Sequence, residues 1–317
     1  MSNFYYTSDE IIKSVKARAF IPSTQSTFKD EDFLRFGNEE MNVGMVPEIL
    51  KSHQDYFLWT ENVPFRDNVT KYTIPYRAIG NKIRDVSYQD TSGNLREMTR
   101  IGVGELPYWN NSSSSNQVYA FYIQNNQICL APERTPISAS AGSLKITYYI
   151  RPNSLVLLKD IAVISSIDRI TGIITLSNLP VTYSQNQKYD LVKVKSPHRC
   201  TNIEIQPLSL NTISKTITLN LIDINDELEI GDHLCLATET AIPQIPSDFH
   251  VVLAHRIATR CLEALGDTEG LTSANQKLAE MQIQMQPMMD DRVDDAPRRI
   301  SLRHSILKGN SRFSRRS

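Results

Sequence analysis

The sequence predicts an α+β protein in which N- and C-terminal helices form one helical body and a long all-β region is inserted between them. Three observations carry this. Apolar residues recur at helical spacing near the two ends of the chain. The middle consists of short β-branched and aromatic runs broken by Gly, Asn, Asp and Pro. Within that middle, Ile164 to Val192 aligns without gaps on Pro207 to Cys235, an offset of 43 residues. The expected organisation is a helical part over 1–56, a β-sandwich-like region over 57–153 and a duplicated β-meander or barrel over 154–243. A second helical part over 244–289 and a basic tail over 290–317 complete it.

Ser8-Asp9-Glu10 opens the first helix, with Ser8 able to cap and acids in the first turn. Ile11, Ile12, Val15 and Ala19 form its apolar stripe, and Pro22 stops it. Lys29 to Asp55 reads as a second helical region with a break or kink at Gly37, Gly44 and Pro47.

From Phe57 the period changes. Val69 to Pro75, Lys82 to Tyr88, Tyr119 to Ile123, Gln127 to Ala131 and Leu144 to Tyr149 read as strands, with a turn at Asp90 to Asn94. Asn125-Asn126 suits a tight hairpin with positive φ. Asn110 to Asn116 reads as a polar loop, and Gly102-Val103-Gly104 as a flexible one that lacks the third glycine and lysine of a phosphate cradle. In the repeat, Ile170 to Leu176 falls on Ile213 to Leu219, and each copy reads strand, turn, strand, loop, strand. Two copies are too few for a solenoid and predict halves that pack as one small barrel or sandwich.

Pro246-Ser247-Asp248 restarts helix. Phe249, Val252, Leu253, Ile257, Cys261 and Leu265 line one face, and Gly266 fits the residue after the C-cap. Leu271, Ala274, Leu278, Met281, Met285 and Met288 follow at alternating spacings of three and four, a heptad seam. Leu271, Leu278, Met281, Met285 and Met288 are therefore candidates for helix packing within the chain or for subunit contact.

Net charge is −1, but the distribution is uneven. Arg298, Arg299, Arg303, Lys308, Arg312, Arg315 and Arg316 lie after Ala296 with no acid among them, leaving 27 basic against 35 acidic residues in 1–295. An acidic body thus carries a basic tail, a pattern suited to nucleic acid or an acidic protein surface. Composition is that of a globular chain, with 40% hydrophobic and 22% charged residues. No apolar run reaches bilayer length, and the first residues lack the basic flank and apolar stretch of a secretory signal. The four cysteines are widely spaced, as expected of reduced thiols in a cytosol-made protein.

The sequence carries no recognisable catalytic or metal-binding motif. His250 and His255 sit five apart and point to different faces; there is no HExxH, Cys/His cluster or G-x-S-x-G elbow. Asp290-Asp291 and Asp294-Asp295 lack EF-hand spacing. Basic and aromatic residues interleave at Tyr72, Tyr76, Arg77, Lys82, Arg84 and Tyr88, a pattern more typical of alternating strand faces than of a base-stacking surface. No catalytic, cofactor or metal site is expected.

Three strand motifs and one helix start carry a resemblance. They are Tyr72-Thr73-Ile74-Pro75-Tyr76-Arg77 running on to Val86, Ile128-Cys129-Leu130-Ala131-Pro132, Leu144 to Pro152, and Ile245-Pro246-Ser247-Asp248-Phe249-His250 opening a helix to Gly266-Asp267. In that order they resemble the head-to-tail adaptor, or ring, proteins of tailed bacteriophages, most closely those of crAss-like phages. The resemblance spans nearly the whole chain. It implies a virion protein, made in the bacterial cytoplasm, that forms a ring usually of twelve copies beneath the portal, meets the next tail protein and surrounds the DNA channel. It implies a helical ring body, a β-region that decorates it or meets neighbours, and a C-terminal segment that reaches the portal. The anchor or DNA contact expected here is Arg298, Arg299, Ile300, Leu302, Arg303, Ile306, Leu307, Lys308, Arg312, Arg315 and Arg316. The duplicated insert departs from the smallest adaptors. A carbohydrate- or receptor-binding tail protein built on the β-modules is the alternative.

Overall fold

The computed structural model describes residues 5–22, 27–112, 120–133 and 142–289. The fold is α+β, a helical part with β-units inserted into it. Helix α1 (Ser8–Arg18) is capped one residue earlier than the sequence suggests. Thr7 Oγ1 accepts from the Glu10 amide, and Glu10 Oε2 accepts from the Thr7 amide at 2.7 Å, a reciprocal capping box. Its stripe is buried as expected, Ile11 and Val15 completely.

The second helical region does not break. Helix α2 (Asp30–Glu39), a π-helical segment Glu40–Met45 and α3 (Val46–Ser52) run on continuously. The Val46 amide reaches back to the Met41 carbonyl, one residue further than in an α-turn. That wider turn makes room for the Pro47 ring, which an α-turn would press against the preceding turn. Gly37 has a different reason for being there: a Cβ would meet Ile257 Cδ1 at 3.0 Å, so its absence lets α2 press closely on the C-terminal helix.

Residues 58–150 form a sandwich of two four-stranded sheets. One is made by β1 (Leu58–Pro64), β3 (Ala78–Gln89), β4 (Leu95–Glu97) and β8 (Ser143–Ile150) in the order β1-β8-β3-β4. The other, made by β2 (Lys71–Thr73), β5 (Thr99–Arg100), β6 (Ala120–Gln124) and β7 (Gln127–Ala131), runs β2-β7-β6-β5. Phe65, Ile74, Val86, Ile128, Leu144 and Ile146 fill the core between them. Asn125 and Asn126 turn the β6–β7 hairpin with φ of 49° and 60°. Gly102-Val103-Gly104 is not a flexible loop. It enters a 3₁₀ turn, Val103–Glu105, and then helix α4 (Leu106–Ser112), so Asn110 to Ser112 are helical; the rest of the expected polar loop, and Tyr119, lie outside the described residues. Leu106 and Trp109 pack on Ile101, Tyr122 and Cys129, and that contact outweighs the low helix propensity of the Asn residues.

The barrel follows β9 (Ser154–Leu155). It comprises β10 (Ala162–Asp168), β11 (Ile173–Leu176), β12 (Tyr189–Val192), β13 (Cys200–Ile205), β14 (Ser209–Asn211), β15 (Thr216–Thr218) and β16 (His233–Leu236). The order is β13-β12-β16-β10-β11-β15-β14. The two edge strands, β13 and β14, are joined by only Gln206, Pro207 and Leu208, so the sheet must curl round on itself.

The repeat governs this geometry. Ile174 pairs with Ile217 and Leu191 with Leu234; 217 minus 174 and 234 minus 191 both give 43. Equivalent residues of the two copies therefore face each other at two places, where a pseudo-twofold axis crosses the barrel wall. The hairpin turns match as well: Asp168 Oδ1 accepts from the amides of Ile170 and Thr171, as Asn211 Oδ1 does from Ile213 and Ser214. Gly172 and Lys215 then take the same left-handed φ, 75° and 52°.

Each β-unit leaves and re-enters the chain at adjacent points. Strand β1 lies antiparallel to β8, and β9 pairs in parallel with β17 (Glu239–Thr240). Helices α5 (His250–Leu265) and α6 (Thr268–Met285) then close the body. The helical core joins Ile11, Val15, Phe33, Met41 and Ile49 to Leu253, Ile257 and Cys261. Gly266 takes the left-handed C-cap conformation, φ 73°. Leu265, expected on the buried face, is 47% exposed because the helix ends there and α6 turns away. Among the described residues no helix is long and apolar enough to cross a membrane.

Candidate functional site

The parts of the molecule meet at a buried junction built on Asp190. Strand β12 holds its carboxylate fully buried. Arg77, in the turn that leads into β3, donates Nη2 to both carboxylate oxygens at 3.1 and 2.9 Å. Asn153, between the sandwich and the barrel, donates Nδ2 to Oδ2 at 2.7 Å. The backbone amides of Glu204 and Thr238 donate to Oδ1 and Oδ2 at 2.9 and 3.0 Å. One carboxylate thus ties the sandwich, the linker, the barrel and the returning strand. Glu204, at φ 53°, closes the site over Arg77 Nε at 3.3 Å and takes Lys188 at 2.9 Å.

Arg77 belongs to the interleaved basic and aromatic pattern that the sequence assigns to alternating strand faces, and it lies on the buried side. It is 3% exposed and serves as the central buried cation. Two carboxyls beside it are pushed apart. Burial and then Glu204 hold Glu61 above the usual carboxylate range. Burial also acts to raise Glu204, but hydrogen bonds from Tyr76 and Lys188 outweigh it and hold that group below the range. Such a divergent pair is what acid–base work would use. Here Glu204 is already engaged by Arg77 and Lys188.

A second knot joins the chain ends to the barrel. His250 Nδ1 accepts from the Tyr6 amide at 2.9 Å, while Nε2 faces the Pro243 and Ile245 carbonyls at 3.2 Å. The ring is therefore neutral with its proton on Nε2, and burial pushes its pKa down to about 3. His198 stacks against it at 5.1 Å and contacts Ser247 Oγ through Nε2 at 3.1 Å. His255 points elsewhere, with Nε2 on the Ala274 carbonyl at 2.9 Å, which joins α5 to α6. The two helix histidines face different ways, and both bind backbone.

Between sandwich and barrel lies a cleft of about 290 Å³. Trp59 and Tyr56 supply aromatic surface, and Arg199, Asn225, Glu227 and Gln244 supply polar groups. Cys200 at its base accepts from Gln244 at 3.1 Å, and burial pushes its thiol up to about 12. All four cysteines are buried and free. A wider groove of about 540 Å³ lies along α2 and the π-segment against residues 155–160. Among the described residues no group of three or more His, Cys, Asp or Glu could hold a metal ion.

The helical seam turns inward. Leu271, Ala274, Leu278 and Met281 pack on the helical core, and Met285 is 4% exposed within it. Met288 takes no part in that packing within the chain: α6 stops at Met285, a 3₁₀ turn follows, and Met288 is 62% exposed. The expected anchor residues Arg298, Arg299, Ile300, Leu302, Arg303, Ile306, Leu307, Lys308, Arg312, Arg315 and Arg316 lie outside the described residues, as do Asp290-Asp291, Asp294-Asp295 and His304. Sequence reasoning missed the Asp190 junction; the one available signal was a lone Asp between apolar residues in an interior strand.

No protein-family model matches the chain. Nor does any curated protein.

Proposed function

We propose that the chain is a structural subunit of a phage head-to-tail connector. It forms an oligomeric ring under the portal, reaches that partner through its basic tail, bridges to the next tail protein, and surrounds the passing DNA. The observation that carries this reading is the nesting of both β-units, entry strand beside exit strand, in a helical body made from the two chain ends. That design leaves the helical body with one continuous core. Ring closure would use a heterologous interface between successive copies. The acidic body with its basic tail adds charge suited to a partner or to DNA.

Electron microscopy of the protein mixed with portal tests it. Rings docked on the portal are expected, and cutting the chain before Pro297 is expected to abolish docking while leaving the fold intact. A strictly monomeric protein in the presence of portal, or unchanged docking by the truncated chain, overturns it. A second reading has one observation in its favour. The cleft between the β-units pairs Trp59 with planar polar side chains, as a saccharide site does. A glycan array probed with the intact protein tests it, and loss of any signal in Trp59→Ala is the expected control.

A further inference from the structure

We infer that the groove along α2 and the π-segment is the seat of the chain's own C-terminal segment, residues 298–308. The groove floor is apolar: Leu34, Val43, Val156 and Leu157 line it, and Val43 is 79% exposed at the π-segment. Its rim is acidic. Glu31, Glu39 and Asp160 stand there, and among the described residues none of the three has a cationic partner. Among the described lining residues the one cation, Arg35, is already paired with Asp32 at 3.3 Å.

The sequence of the tail is the complement of that surface. Arg298, Arg299, Arg303 and Lys308 bring four positive charges, and Ile300, Leu302, Ile306 and Leu307 bring four aliphatic side chains, within eleven residues. A floor that is apolar and a rim with three unpaired carboxylates suits such a segment better than an acidic or purely polar one.

Reach is also sufficient. The His53 ring lies 3.4 Å from the Met288 carbonyl, which fixes the 3₁₀ turn after α6 beside the end of α3. From residue 53 back to Asn38, at mid-groove, is fifteen residues of near-continuous helix, about 22 Å at ~1.5 Å per residue. The nine residues from 290 to Arg298 span about 30 Å when extended. The tail can therefore occupy the groove of the chain that carries it, without a second copy. The seat does not depend on the connector reading. It would keep a basic, apolar segment covered until a partner draws it out.

Amine cross-linking of the full-length protein tests the seat. Lys308 in the tail and the exposed Lys159 beside the rim are expected to cross-link within one chain. The yield should fall at least fivefold in Val43→Glu and in the triple variant R298E/R299E/R303E, and should fall as salt is raised. Val43 is exposed, so thermal melting of Val43→Glu should match the parent and separates lost docking from lost folding. Absence of the link, or a link indifferent to both variants, overturns the inference. So does a link found only between isotopically light and heavy copies, which would place the tail in a neighbour's groove. Portal docking is measured separately, so that either reading can fail alone.

Discussion

Replacing Asp190 with Asn keeps the side chain's size and removes its charge at the point where the β-units are joined. Asp190 accepts two hydrogen bonds from Arg77 and one each from Asn153 and the amides of Glu204 and Thr238. An amide presents one acceptor oxygen. If that oxygen takes the Oδ2 position, the Glu204 amide is orphaned; if it takes the Oδ1 position, the Thr238 amide is, and Asn153 Nδ2 is left with the Glu239 carbonyl at 3.1 Å. An orphaned buried donor costs about 1–3 kcal/mol. Arg77, 3% exposed, also loses its main counter-charge, and a broken buried pair costs about 3–5 kcal/mol. Glu204 at 3.3 Å remains and lessens that loss. The expected total is about 3–5 kcal/mol. Arg77→Met removes the cation instead and leaves Asp190 three N–H donors, so it should cost less, about 2–3 kcal/mol. Urea denaturation followed by tryptophan fluorescence measures both. The double variant should lose at least 1 kcal/mol less than the sum of the singles. If Arg77→Met proves as damaging as Asp190→Asn, or the two losses simply add, the junction is not organised around the carboxylate.

Other outcomes follow from the same geometry. Gly44→Ala would place a Cβ 2.2 Å from Arg256 Nη1, displacing a guanidinium that donates to both oxygens of Glu48, and should lower stability by about 1–3 kcal/mol in thermal melts. At the matched hairpin turns, Gly172→Ala should cost about 1–3 kcal/mol, since φ is 75° and the Cβ would lie 2.5 Å from the Leu219 carbonyl oxygen, whereas Lys215→Gly at φ 52° should be neutral or stabilising by up to about 1 kcal/mol. Burial lowers the pKa of His250 to about 3 and of His233 to about 4, so the unfolded chain, with histidines near 6.5, binds more protons across that window. Unfolding free energy from urea melts should therefore fall as pH drops below about 6.5, by up to about 1.4 kcal/mol per pH unit for each histidine; His233→Gln should make the fall shallower, and a flat profile from pH 7 to 5 would refute the assignment.

What the sequence made legible were the features fixed by local pattern. The Ile11, Ile12, Val15 stripe, the Asn125-Asn126 turn and Gly266 act within a few residues of themselves, and each is where periodicity or φ preference puts it. The offset of 43 was legible too, because duplicated strands keep their spacing. The π-segment was not: Pro47 announces trouble, but whether a helix breaks or widens depends on what packs beside it, here the contact of α2 and the π-segment with α5. Helix α4 was hidden behind Gly and Asn, because Leu106 and Trp109 find their partners on strands β6 and β7. The Asp190 junction was least legible of all. Its members Arg77 and Asp190 are 113 residues apart, and an ion pair leaves no periodic trace. Met288 escaped because a heptad can be counted past the point where the helix ends.

The self-pairing of Ile174 with Ile217 and of Leu191 with Leu234 has a consequence for how such a barrel can arise. A wall closed by equivalent residues is the wall a symmetric dimer of one half would build. Joining the halves replaces a bimolecular association by an intramolecular one, so closure no longer depends on concentration. Once joined, neither half needs to satisfy both roles at each contact. One copy could then take Asp190 into an interior strand to grip Arg77 while its counterpart, His233, stayed uncharged at the same station. Tethering thus allows a symmetric shell one distinguishable outer face, at Asp190, for the rest of the protein to hold.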